Sequence, residues 1–123
     1  MIDEDKNLLE LAAKAAGLKN YRYCPAEDGL HACIEFDDED DCTVVWMPHL
    51  DDGDTLRLMV QQGLVIYRGH DAIRGEFCEV FYRPRKYARQ KSCIEYHKDH
   101  PDQVAATRRA IVRAAAEIGK AQP

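Results

Sequence analysis

The segment HPDQVAATRRAIVRAAAEIGKAQ, residues 100–122, constrains the fold more than any other. Val104, Ile111, Ala115 and Ile118 recur at helical spacing, with Arg108, Arg109 and Arg113 beside them. Pro101 suits the first helical position, with Asp99 or His100 near the cap. A stripe so rich in alanine lets the helix lie close against a sheet. The rest of the chain must supply that sheet.

It does so in two groups of strands. DEDKNLLELAAKAAGLKN predicts a first helix over residues 3–16, with acids in its first turn and Gly17 as its stop. Leu8, Leu11, Ala12 and Ala15 form its apolar face. YRYCPAEDGLHACIEF predicts a hairpin: residues 21–24 approach, Glu27, Asp28 and Gly29 turn, and residues 30–36 return. Six acids in seven residues follow in EFDDEDD, where like charges interrupt a strand. That run is expected to be an exposed, mobile connection. CTVVWMP is a third strand ended by Pro48, with Trp46 as a core aromatic or an exposed contact residue.

Asp51 or Asp52 then caps a helix over residues 53–62, with Leu56, Met59 and Val60 inward and Gly63 as its stop. LVIYRG, EFCEVFYR and KSCIEYH follow as three antiparallel strands. The order α-β-β-β-α-β-β-β-α favours the α+β class: an antiparallel sheet of about five to six strands with helices packed on one face. A chain of 123 residues without a long linker or internal repeat is expected to be a single domain, 1–123.

Charge divides unevenly along the chain. Residues 1–62 hold 15 acids and 5 bases, whereas residues 63–123 hold 7 acids and 12 bases. Such asymmetry predicts opposed patches if the halves separate in space. The acids concentrate in Asp37, Asp38, Glu39, Asp40 and Asp41, and the bases in Arg83, Arg85, Lys86, Arg89 and Lys91, which surround Tyr87. The acidic run can meet a basic surface or imitate a phosphate backbone. The basic run, with its aromatic, can grip an acidic protein or a single nucleic-acid strand. These eleven residues are the candidate interaction sites.

Other chemistry has weaker support. Asp51, Asp52 and Asp54 offer oxygens to a hard cation, but the calcium-loop pattern requires a Glu where this chain has Gln62. Cys93, His97 and His100, or Cys24, His31, Cys33 and Cys42, lack the paired short spacing of a zinc site. Cys78 with His70, or Cys93 with His97, are thiol–base pairs without an oxyanion hole. No metal or other cofactor is expected, and no catalytic signature is present. Five cysteines, an odd count without C-x-x-C, read as buried free thiols rather than a disulfide framework. The acidic N-terminus differs from a secretory leader, and no apolar run nears the roughly 20 residues of a membrane span. The sequence therefore predicts a cytoplasmic protein without a membrane partner.

Three segments together resemble a known family. WMPHLDDGDTLRLMVQQGLVI is similar to the W-x-P-x-x-D-D-G-D-A-L-R-L pattern of small phage and prophage proteins of unknown function. ATRRAIVRAAAEIGKA resembles the helix that accompanies it, and LLELAAKAAG is also typical. The family is the NinX-like phage domain, and His49 and Leu50 depart from its usual polar or small residues. The resemblance assigns no functional residues. It implies a phage or prophage accessory protein in a bacterial host cell, acting by contact with a host or phage protein, antiviral-defence machinery included. The alternative reading is a small-molecule, metal or nucleic-acid binding module.

Overall fold

The computed structural model describes residues 4–27 and 29–123. Asp3 and Asp28, part of the predicted first helix and hairpin turn, lie outside the described residues. The elements run α1 (Glu4–Ala15), β1 (Arg22–Cys24), β2 (Cys33–Asp37), β3 (Thr43–Trp46), α2 (Asp52–Gln62), β4 (Val65–Asp71), β5 (Gly75–Tyr82), β6 (Lys91–Tyr96), a short 3-10 turn (His97–Asp99) and α3 (Gln103–Ala121). This is the expected α+β class, in the expected order.

The helices run parallel. At one end Arg109 pairs with Asp5 at 2.8 Å, and at the other Lys14 Nζ donates to the Gln122 carbonyl at 2.9 Å. Between these contacts, Ala12, Ala13 and Ala16 of the first helical segment and Ala110, Ala114 and Ala115 of α3 are buried. Gly119 lies against the backbone of Leu11; a Cβ there would come within 2.0 Å of the Leu11 carbonyl oxygen. Small side chains set this close approach, since interaxial distance follows contact-residue size. The second helix shares the direction. Asp52 at its start meets Arg108 at 2.7 Å, and Gln61 and Gln62 at its end donate to the carbonyls of Ala16 and Ala15.

Two helices stop in the same way. Gly17 and Gly63 have φ of 70° and 64°. Leu18 N–H reaches the Ala13 carbonyl and Leu64 N–H reaches the Met59 carbonyl. Both are the glycine-dependent termination in which a left-handed residue lets the following amide cap the last turn.

The six strands form two antiparallel three-stranded sheets, β1-β2-β3 and β4-β5-β6, where sequence suggested one. The physical reason is the crossing between β3 and β4. Pro48 ends β3, and α2 carries the chain away before β4 begins. Ile34 and Trp46, cross-strand neighbours in the first sheet, are buried in the common core. Trp46 is thus a core residue. Cys78, Val80, Tyr82 and Cys93 line the buried face of the second sheet, which packs on α3.

Two expected faces shift. On α2 the buried residues are Thr55 and Leu58, while Leu56 and Val60 are 57% and 69% exposed. Asp51 caps by accepting from Asp54 N–H at 2.8 Å, and Asp54 accepts from Met47 N–H at 2.9 Å. The Thr55 hydroxyl binds the carbonyls of Pro48 and Asp51. These polar contacts rotate the helix so that Thr55 faces in. On α3 the cap is Asp102, which accepts from Ala105 N–H at 2.8 Å, so Pro101 precedes the helix. Val104 is exposed in the first turn, while Ala110, Ile111, Val112, Ala114, Ala115 and Ala116 are all buried. Here α3 lies between two helices and a sheet, so burial exceeds a single stripe.

Helical Gly→Ala changes ordinarily stabilise by about 1 kcal/mol. Gly119→Ala should reverse that sign, destabilising by roughly 1–3 kcal/mol through overpacking against Leu11. Urea unfolding measures it, and a stabilised variant would refute the close contact. A second expectation concerns His49, before α2. Burial pushes its pKa below the ordinary value; Asp5 and a backbone hydrogen bond to Ala32 oppose that shift, and Arg109 and His31 reinforce it. The folded state therefore holds this ring neutral where the unfolded chain is protonated. Its contribution is present above pH about 6.5 and is lost as pH falls through that value toward the folded pKa. His49→Gln should flatten the stability loss between neutral pH and pH 5, as read by unfolding at each pH. An unchanged slope would remove His49 as its cause.

Candidate interaction surface at the helix C-termini

The acidic run is a closed turn. Asp37 is the last residue of β2, and its carboxylate lies 3.7 Å from Arg22. Asp38 accepts through Oδ1 from the backbone of Asp40 and Cys42, at 2.9 Å each, and its N–H donates to the Cys42 carbonyl. Asp41 completes the turn at φ 59°. The run expected to be mobile is therefore tied by its own first residues. Glu39, Asp40 and Asp41 are exposed, and no ion pair reaches 38–41 among the described residues. Beside the turn, Gly17, Leu18 and Lys19 complete a shallow cleft of about 440 Å³.

The basic run joins β5 to β6. Arg83 donates to the Ala88 carbonyl at 2.7 Å, and Ala88 N–H to the Arg85 carbonyl at 3.0 Å. These bonds fold the loop back on itself. Tyr87 sits at its tip, 90% exposed and at φ 68°. A bulky residue in the left-handed region is strained. Lys86 Nζ lies 5.3 Å from its ring centroid.

Arg83, Arg85 and Lys86 wall an open cleft of about 860 Å³ with Gln61, Gln62 and Lys120. Arg89 and Lys91 lie outside its lining, exposed. No acidic side chain lines it, so the cleft suits carboxylates or phosphates. Sequence reasoning missed Lys120, Gln61 and Gln62. Each stands in the last turn of a helix, and only the parallel arrangement brings those turns together.

That arrangement also places the two loops. The acidic turn adjoins the end of α1, and the basic loop adjoins the ends of α2 and α3. Those ends are linked through Lys14 and Gln122 and through Gln62 and Ala15. The two charged loops thus do not form opposed poles. They belong to different sheets toward one end, and among the described residues no ion pair joins 37–41 to 83–91.

The other candidate sets do not assemble. Asp51 caps α2, Asp52 pairs with Arg108, and Asp54 binds Met47 N–H and Arg57. Among the described residues no group of three or more His, Cys, Asp or Glu side chains is placed to hold a metal. Burial raises the pKa of Cys78 and of Cys93. His70 is exposed and lies 3.5 Å from Glu76, and His100 binds Glu95 at 2.7 Å. Cys42 is exposed and Cys24 and Cys33 half-buried, so only two of the five thiols are the buried ones expected. No described helix is long and apolar enough to cross a membrane. Compared with known protein families, curated proteins and solved structures, the chain finds no match.

Proposed function

We propose that this chain is a phage- or prophage-type accessory protein that acts by protein–protein contact through its charged end. The partner is a host or phage protein, antiviral-defence machinery included. One observation carries the contact reading: a basic cleft at the C-terminal ends of α2 and α3 and an acidic turn at that of α1 have no ion pair to each other among the described residues, and the strained, exposed Tyr87 stands in the basic loop. Free charges of both signs at one end steer a partner with the complementary pair of patches. The phage context is supported by the resemblance of the tryptophan–aspartate motif and the terminal helix. A nucleic-acid reading is second, favoured by Tyr87 beside Lys86 and Arg85, a stacking group among bases.

The test is capture from bacterial lysate with the wild-type chain, an Arg83→Glu/Arg85→Glu variant and a Glu39→Lys/Asp40→Lys variant. One partner should be retained at low salt, and each variant should slow its association by 10-fold or more. Retention unaffected by salt and by both variants removes the contact reading. Gel shift of single strands at low salt, lost on Tyr87→Ala, would instead select the nucleic-acid reading.

A further inference from the structure

On the outer face of the first sheet, Cys24 and Cys33 stand directly opposite each other. Opposed residues of an antiparallel pair lie about 4.5–5.5 Å apart at Cα. A disulfide spans roughly 4.4–6.8 Å. Both thiols are free and half-buried, and they share a cleft of about 580 Å³ with Leu30, His31, Val45 and Met47. The cleft admits a small molecule. Cys24 Sγ donates to Glu35 Oε1 at 3.2 Å, and Arg22 holds Glu35 at 3.5 Å.

We propose that Cys24 and Cys33 are a reversible thiol-modification site, closed into a cross-strand disulfide by a low-molecular-weight disulfide such as glutathione disulfide, with Glu35 as the base. The Cys33 thiolate attacks one sulfur of the external disulfide. A mixed disulfide forms on Cys33 and one small thiolate leaves. Cys24 then attacks the Cys33 sulfur while Glu35 takes its proton, and the second small thiol departs. The chain loses two electrons and two protons, and the external disulfide becomes two thiols.

The order of attack follows from the site. The Cys24 proton is committed to Glu35, and burial, then that hydrogen bond, raise its pKa to about 11. A thiol so held is a poor first nucleophile and a suitable resolving one. Closure pins the three-residue edge strand β1 to β2 and leaves Glu35 to Arg22 alone. A dithiol outcome for this hairpin is independent of the charged end.

Incubation of the full chain with glutathione disulfide should lower its titratable thiols from five to three. Peptide mapping should find one link, between Cys24 and Cys33, reversed by reductant. Cys24→Ser should trap a glutathione adduct on Cys33. Glu35→Gln should slow closure by roughly 10-fold or more without slowing the first adduct. Five persisting thiols, modification confined to the exposed Cys42, or no trapped adduct in Cys24→Ser would overturn the proposal. If Glu35→Gln fails to fold, the Cys24→Ser trap decides alone.

Discussion

The parallel contact between α1 and α3, closed by Gly119 against the Leu11 backbone, sets where everything else can go. Helices adjacent in sequence usually pack antiparallel, joined by short loops. These two come from opposite ends of the chain, so both sheets and α2 lie between them in sequence. With α2 aligned as well, three macrodipoles point the same way. Acids accordingly mark the starts: Asp5, the caps Asp51 and Asp102, and Asp52 and Asp54. Lys14 and Lys120 mark the ends of α1 and α3. The last turn of α2 has no base of its own, and the Arg83–Lys86 side of the basic loop lies there instead.

The division into two sheets follows from the same frame. Each meander covers a different helix: the first sheet touches α1, and β5 and β6 pack on α3. Among the described residues no strand of one meander pairs with a strand of the other, and Pro48 and the Asp51 cap turn the chain into α2 between them. One core nevertheless joins both, with Ile34 and Trp46 in the same cluster as Val80 and Cys93.

Local signals in the sequence were strong where chemistry is local. Gly17 and Gly63 stop their helices, Asp51 caps, and the acidic and basic runs fall at hairpin connections as their composition requires. Signals failed where a residue's surroundings decide. Leu56 and Val60 look like core by period, but the Thr55 hydroxyl has two carbonyl partners, Pro48 and Asp51, and takes the inward position. Val104 looks like core, but it lies in the first turn after the Asp102 cap. The site was half legible. Its charged loops are written in the chain, but Lys120, Gln61 and Gln62 join them only through helix direction, which no local pattern encodes.

Helix direction also separates the two loops in kind. A base cluster beside the ends of α2 and α3 is favoured by their dipoles, so its position has an ordinary structural explanation. The acidic turn beside the end of α1 has none. It sets like charges together near a negative helix end, against the electrostatics of the frame. Local compensation reaches only its edge: Arg22 answers Glu35 and Asp37, and Asp38 spends its carboxylate on the turn's own amides. Glu39, Asp40 and Asp41 are left exposed and unpaired by any described base. Charges that stability does not call for, held in a defined turn, are the part of this molecule that its fold alone does not explain.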